Sequence, residues 1–267
     1  MTYAHICERL KKAGVYDFEV EARLIIEHVL GESFAPYKEY CGDLLEAALQ
    51  KRCEGYPLQY ILGKWWLARC EFFVSDDCLI PRPDTECVIE EAVKLLPEGA
   101  RFADLCTGSG CIAISILDLR PDTSADAYEL YPKTLELAVK NAAHNGVEDR
   151  FCGVLGDVTD PTLLDGKKYA AIISNPPYIR SDVVPTLSRE VQFEPTAALD
   201  GGRDGLDFYR AIVANFKHCL EVGGKFIFEI GYDQAADLEG IAREHGFCCR
   251  IVKDLGKNDR VAVLERT

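Results

Sequence analysis

The residues best suited to chemistry in this sequence are four in a row: Asn175, Pro176, Pro177 and Tyr178. Pro176 and Pro177 carry no N–H and restrict the backbone, so the carbonyls here act only as hydrogen-bond acceptors. The side-chain carbonyl of Asn175 adds an acceptor, and the Tyr178 ring can cover a flat group. The pattern predicts a rigid fork of acceptors that grips an NH2 group. An ordinary turn after a strand is the alternative, because Asn-Pro and Pro-Pro are common in loops.

A second candidate site is the glycine-containing segment 104–110, which follows one predicted strand and opens a predicted helix. Gly108 and Gly110 let the backbone approach a ligand closely, and the helix N-terminus offers free N–H groups. Such a turn binds pyrophosphate in dinucleotide-binding folds, but the third glycine is absent here. Asp104 would repel a diphosphate and could pair with an ammonium group, which favours S-adenosylmethionine. The candidate cofactor-binding residues of this segment are Asp104, Cys106, Thr107, Gly108, Ser109 and Gly110.

Further candidates follow the next two predicted strands. The carboxylate of Glu129 could accept both ribose hydroxyls of the cofactor, although an exposed acid at a strand end would give the same pattern. Asp157 could accept the adenine amino group while Val158 lies against the ring edge, but aspartate is also common in turns. Together with Asn175, these residues follow neighbouring strands at the carboxyl edge, where open α/β sheets bind ligands.

An alternation of strands and helices positions these residues. Apolar runs predict seven strands: 102–106, 125–130, 151–155, 170–173, 225–230, 248–253 and 261–264. Apolar residues at helical spacing predict four helices among them: 112–119, 135–142, 208–220 and 234–245. The alternation predicts a parallel α/β sheet with helices on both faces. The short connection at 256–259 predicts that the last two strands form an antiparallel hairpin at one edge.

The N-terminal part of the chain has a different pattern. Residues 1–64 contain apolar residues at the spacing of short amphipathic helices, and Gly31 is a predicted C-cap. These helices are predicted to form a small bundle. The bundle either has a purely structural role or also docks the substrate. Residues 65–82 are a predicted β-hairpin linker with strand-like residues at 66–68, 70–74 and 78–80. A helix capped by Asp84 or Thr85 is expected to run to Leu96. The remaining residues, 83–267, form the predicted catalytic domain.

Composition limits the classes of function. The chain has 267 residues and a formal net charge of −14, which argues against tight binding to DNA or RNA and favours a small-molecule or protein substrate. Its 12 cysteines include no CxxC pair, so reduced thiols are expected rather than disulfides or a zinc site. We expect no bound metal. The sequence also lacks a signal-peptide pattern and a long apolar run, which predicts a cytoplasmic protein.

With these segments in view, the sequence resembles the PrmC/HemK family, the protein-(glutamine-N5) methyltransferases that modify class I peptide-chain release factors. The resemblance covers nearly the whole chain and rests on these segments: 56–63, 79–86, 104–110, 175–178, 194–195, 198–207, 229–231 and 259–261. Three positions depart from the family pattern. Cys106 replaces the usual glycine, Glu129 the commoner aspartate, and Val158 a residue that is often aromatic.

The resemblance implies a class I S-adenosylmethionine-dependent methyltransferase: a Rossmann-like, seven-stranded sheet with an antiparallel edge hairpin, plus a small N-terminal helical domain. The implied reaction methylates the side-chain amide nitrogen of the glutamine in the release factor's Gly-Gly-Gln loop and leaves S-adenosylhomocysteine. The catalytic residues would be Asn175, Pro176, Pro177 and Tyr178. In this reaction the Asn175 Oδ1 and the Pro176 carbonyl accept the two amide N–H groups.

The implied protein is a monomer that acts on release factors and binds neither nucleic acid nor a membrane directly. Two alternatives remain from the sequence. An adenine-N6 methyltransferase acting on DNA or RNA could use the same fork, although the net charge of −14 argues against it. A non-catalytic protein that only binds S-adenosylmethionine is the other.

Overall fold

The computed structural model describes residues 1–266, and its first part is helical. Four helices lie within residues 1–64: α1 (Tyr3–Lys12), α2 (Phe18–Leu30), α3 (Asp43–Cys53) and α4 (Leu58–Leu62). Gly31 ends α2 in the left-handed conformation, with a φ of 65°, as predicted for a C-cap. Leu10, Ile25 and Leu49 are fully buried and join the first three helices into a core of their own.

A β-hairpin follows the helices. It consists of β1 (Lys64–Leu67) and β2 (Cys70–Phe73), which pair antiparallel. The predicted strand at 78–80 is wrong, since Cys78–Ile80 forms no strand. The N–H of Cys78 donates to the Ser75 carbonyl, and the N–H of Ile80 donates to the side chain of Glu194. These donors are therefore engaged by a turn and by a distant side chain instead of a neighbouring strand.

The rest of the chain forms a seven-stranded sheet in the order β5-β4-β3-β6-β7-β9-β8. The strands are β3 (Arg101–Leu105), β4 (Ser124–Glu129), β5 (Phe151–Leu155), β6 (Tyr169–Ser174), β7 (Leu220–Glu229), β8 (Phe247–Lys253) and β9 (Asp259–Arg266). The helices are α5 (Glu86–Leu95), α6 (Cys111–Leu119), α7 (Pro132–His144), α8 (Asp207–Phe216) and α9 (Ala235–Glu244). Strands β3 to β7 are parallel, and β9 runs antiparallel to β7 and β8. The predicted α/β fold with an antiparallel edge hairpin is confirmed.

One predicted helix is too long. The prediction 208–220 extends past Phe216, where α8 ends in a short 3₁₀ turn. Strand β7 already begins at Leu220, which pairs with Tyr169 of β6. Buried apolar residues continue across this junction, so hydrophobic spacing alone cannot mark where the helix gives way to the strand.

Two apolar layers hold the helices on the sheet. Phe102 and Ile173 face α5, α6 and α7, whereas Ala103 and Ile172 face α8 and α9. Consecutive strand residues therefore point to opposite faces, as the pleat requires. Among residues 1–266, no helix is both long enough and apolar enough to cross a bilayer. The packing leaves the carboxyl ends of β3 to β6 together at one edge of the sheet.

Candidate active site

A cavity of about 660 Å³ lies at the carboxyl edge of the parallel strands. Nine predicted site residues line it: Cys106, Thr107, Gly108, Ser109, Glu129, Asp157, Val158, Asn175 and Pro177. The other four predicted residues, Asp104, Gly110, Pro176 and Tyr178, are not part of that lining. The structure thus brings together residues that follow four different strands.

Asp104 lies beneath the glycine-containing loop. Its side chain is fully buried, and Oδ2 accepts hydrogen bonds from the Thr107 hydroxyl at 2.6 Å and from the Ala113 N–H at 3.3 Å. Burial raises the pKa of this carboxyl to about 7. Oδ1 is buried and finds no hydrogen-bond partner among residues 1–266. Asp104 therefore ties the loop to α6. It does not line the cavity, and its contact with an ammonium group stays a prediction.

The loop itself needs an unusual backbone. Gly108 and Gly110 have φ values of 57° and 81°, in the left-handed region. A β-carbon on Gly110 would lie 2.7 Å from Ile114 Cδ1, a side-chain end that can move, so the left-handed backbone is the stronger reason for glycine there. Cys106 adopts a φ of 57°, which costs a residue with a β-carbon about 1–2 kcal/mol. The departure from glycine at Cys106 therefore puts strain into the first turn of the loop.

Glu129 ends β4 and joins two loops at the cavity. Its Oε2 accepts the N–H of Gly108 at 3.0 Å, and its Oε1 accepts the N–H groups of Leu130 at 2.9 Å and Tyr131 at 3.1 Å. The side chain is buried, which raises its pKa. A carboxylate has about four acceptor sites, so these three bonds leave roughly one for a ligand hydroxyl.

Asp157 both stabilises a turn and lines the cavity, which are the two roles that the sequence left open for it. Its Oδ1 accepts from the Thr159 N–H at 2.8 Å and the Thr159 hydroxyl at 2.7 Å, which makes it a turn aspartate. It also lines the cavity beside Val158, which is buried. The turn fixes the carboxylate while its other oxygen stays available to a ligand.

Asn175 lies where the large cavity meets a smaller one of about 240 Å³ and contributes to the lining of both. Pro177 lines the large cavity, and Pro176 and Tyr178 line the small one. The structure gives the Asn175 side chain no hydrogen bond to the described part of the chain. Its amide is thus not needed to hold the fold and is free to bind a ligand between the two cavities.

The backbone of this fork is held by a glycine-rich segment. Gln234 Nε2 donates to the Tyr178 carbonyl at 3.0 Å and to the Gly205 carbonyl at 3.2 Å. The Gly201 N–H donates to the Ile179 carbonyl at 2.8 Å. A β-carbon on Gly205 would lie 2.3 Å from the Tyr178 carbonyl oxygen. The sequence predicts that the stretch 194–207 either shapes the mouth of the substrate site or is an ordinary surface loop. In the structure its glycines allow close backbone packing on the fork.

Sequence reasoning missed an ion pair of Arg82, a residue that lines both cavities. The guanidinium of Arg82 binds the carboxylate of Glu194, and Glu194 Oε2 also accepts the N–H of Ile80 at 3.0 Å. Glu194 is buried, which raises its pKa. Both partners lie in segments that carried the family resemblance, but no spacing rule connects residues so far apart in the chain.

The charges of the large cavity suit a cationic cofactor. Five carboxylates line it: Asp77, Glu129, Asp157, Asp200 and Asp207. In the described residues they face a single lining guanidinium, that of Arg82. S-adenosylmethionine carries a positive sulfonium and an ammonium group, whereas a dinucleotide brings a negative diphosphate. The residues present therefore fit S-adenosylmethionine.

Known proteins with similar sequences point to the same chemistry. Residues 86–192 match the family model described as "Methyltransferase small domain". The chain is 38% identical to the release factor glutamine methyltransferase of Agrobacterium fabrum, over 97% of this chain and 94% of that protein. It is 35% identical to the enzyme of the same name from Caulobacter vibrioides, over 96% and 92% of the two chains.

Solved structures agree on the fold. The catalytic domain of hMettl16, crystallised with the MAT2A 3'UTR hairpin 6, superimposes with a TM-score of 0.60 at 18% identity and covers 84% of this chain and 82% of that one. At this identity the match shows the methyltransferase fold alone. The nearly full-length sequence similarity goes further: the chain belongs to the release factor glutamine methyltransferase family.

Proposed function

We propose that this protein transfers a methyl group from S-adenosylmethionine to the side-chain amide nitrogen of the glutamine in the Gly-Gly-Gln loop of class I peptide-chain release factors. The observation that carries the proposal is the position of Asn175, whose unbonded amide lies between the two cavities. One cavity would take the cofactor and the other the glutamine side chain. The proposal includes a monomeric enzyme in the cytoplasm whose N-terminal helices, within residues 1–64, dock the release factor.

The large cavity would hold the cofactor through residues at the ends of β3 to β5. Glu129 would accept a ribose hydroxyl, Asp157 the adenine amino group, and Thr107 and Gly108 would border the amino-acid end. When bound, S-adenosylmethionine supplies an electrophilic methyl group. The cavity is about 660 Å³, a volume usual for small-molecule sites.

The small cavity suits a glutamine side chain. Leu187, Val191 and Leu199 line it and can contact the glutamine methylenes, while Tyr178 offers a ring to the flat amide. An amide nitrogen is a poor nucleophile, because its lone pair is delocalised into the carbonyl. Asn175 Oδ1 and the Pro176 carbonyl would accept its two N–H groups and direct the lone pair toward the large cavity. The chain thus contributes orientation and fixed dipoles.

The proposal is tested by methyl transfer from labelled S-adenosylmethionine to a purified release factor, beside its Gln→Ala loop variant. We expect label on the intact factor and none on the variant. A parallel incubation with DNA and RNA covers the adenine-N6 alternative. Label on nucleic acid and none on the factor would reject the protein substrate, and cofactor binding without any transfer would favour a non-catalytic protein.

Replacement of Glu129 by glutamine is expected to weaken S-adenosylmethionine binding about tenfold. The new NH2 group cannot accept hydrogen bonds, so either Gly108 or the Leu130–Tyr131 pair loses the acceptor it now has. Titration calorimetry with the cofactor measures the change. Glu136→Gln, at an exposed position on α7, is the matched control and should bind as the wild type does. If the wild type, Glu129→Gln and Glu136→Gln bind S-adenosylmethionine with equal affinity, Glu129 does not hold the cofactor.

A further inference from the structure

The small cavity contains an acid to which the proposed chemistry has so far given no role. Glu229 is the last residue of β7, is 2% exposed, and lines this cavity together with Asn175 and Pro176. Its Oε1 lies 3.5 Å from the Tyr178 hydroxyl, a long hydrogen bond. Its Oε2 is buried and unpartnered within residues 1–266. Buried carboxyl oxygens without a partner are rare, so this atom calls for a functional reason.

The other buried acids at this edge of the sheet differ from Glu229 in their hydrogen-bond partners or in that they do not line the small cavity. Glu129 accepts three backbone N–H groups, and Glu194 is engaged by Arg82 and the Ile80 N–H. Asp104 also has an unpartnered oxygen, but it does not line the small cavity. Within the described chain, Glu229 is the carboxylate that borders the small cavity.

Methylation of a primary amide nitrogen requires that the nitrogen lose one of its two N–H protons. When the nitrogen gains its methyl group it carries four bonds and a positive charge, and it returns to a neutral amide only after losing one N–H proton. Asn175 Oδ1 and the Pro176 carbonyl can hold hydrogen bonds to that nitrogen. Both are neutral amide oxygens, however, and amide oxygens are too weakly basic to keep a proton.

We propose that Glu229 is the proton acceptor of the reaction, an inference that rests on the proposed function. The N–H bond breaks, its electron pair stays on nitrogen, and the proton bonds to Oε2 of the Glu229 carboxylate. The products of this step are a neutral N-methyl amide and a neutral carboxylic acid. The acid then releases its proton to solvent after the product departs, which restores the carboxylate.

The surroundings of Glu229 set the pH range in which it can act. The charged or titratable groups around it are those of Arg82, Asp84, Cys111, Tyr178, Tyr209 and Arg260. Burial raises the pKa of Glu229 to about 7, and the negative charge of Asp84 acts in the same direction. The Arg260 guanidinium lowers it in part, as does the nearby Thr85 hydroxyl, which forms no hydrogen bond of normal geometry with Oε2. The acceptor form therefore predominates above about pH 7.

The test is the pH dependence of single-turnover methylation of the release factor. We expect the wild-type rate to rise with pH to a plateau with a midpoint near 7. Glu229→Gln should lower the plateau about 100-fold and abolish the Glu229 step of the profile, with cofactor affinity unchanged. Only the contribution of Asp104, whose pKa is also raised to about 7, should remain in that profile. Glu229→Asp, which keeps a carboxylate, should recover about tenfold of the loss. Glu91→Gln neutralises a buried acid on α5 that lines neither cavity, and should behave as the wild type does.

A second readout does not require turnover. Infrared difference spectra between wild type and Glu229→Gln should show one carboxyl group titrating near pH 7 in the protein without substrate. A wild-type pH profile in Glu229→Gln, or the lack of a carboxyl titrating there, would overturn the assignment. If the wild type transfers no methyl group to any release factor although the carboxyl titrates, the proposed function fails, and the catalytic role of Glu229 fails with it.

Discussion

Replacement of Asn175 by alanine is expected to lower the single-turnover rate of methyl transfer about 1000-fold. The variant loses the Oδ1 acceptor between the two cavities, so the substrate amide is neither held nor oriented toward the methyl group. Because the Asn175 amide makes no hydrogen bond within residues 1–266, the fold should keep its stability. The measurements are single-turnover rate, cofactor affinity and thermal unfolding on the same preparation.

Two further variants make the Asn175 test specific. Asn175→Gln keeps the amide but moves it by one methylene, so it should also lose most of the rate if position matters as much as chemistry. Asn145→Ala removes an amide that bonds the carbonyls of Glu71 and Asn141 and lines neither cavity. It should keep the wild-type rate. An Asn175→Ala rate within tenfold of the wild type would show that the fork is not the catalytic element.

The strand-end residues could be predicted because the pattern around them is local. Apolar runs placed Glu129 and Asp157 after neighbouring strands, and parallel strands bring such ends to one edge. Asp104 shows where this reasoning stops. Phe102 packs against α5 to α7 and Ala103 against α8 and α9, so alternation turns Asp104 toward α6, and it does not line the cavity.

Contacts between distant segments could not be predicted. Cys78–Ile80 has residues typical of a strand, yet Glu194 takes the Ile80 N–H that a strand partner would need. Glu229 belongs to a short segment that supported the family resemblance, and only the packed structure shows that its Oε2 lacks a partner beside Asn175. Propensity and spacing describe the chain over a few residues at a time, whereas these pairings depend on which loops meet at the edge of the sheet.

Gly205 packs directly on the backbone of the fork, although it lies far from the fork in the sequence. Replacement of Gly205 by alanine is expected to lower the free energy of unfolding by about 3 kcal/mol. Gly205 has a φ of 78°, and a β-carbon there would lie 2.3 Å from the Tyr178 carbonyl oxygen and 2.9 Å from Gln234 Nε2. The carbonyl belongs to the backbone and cannot rotate away, so the fork must shift. A shift of about 1 Å would lower the methylation rate about 100-fold.

Gly240→Ala separates this contact from the general effect of a new methyl group. Gly240 lies in α9, and a β-carbon there would meet no atom of residues 1–266 within 4 Å. Alanine favours a helix interior by about 0.5–1 kcal/mol over glycine, so this variant should be slightly more stable and fully active. Chemical denaturation and the single-turnover rate together decide the outcome. A stable, active Gly205→Ala protein would show that the fork tolerates displacement, and the rigidity assigned to Asn175–Tyr178 would then have no part in the reaction.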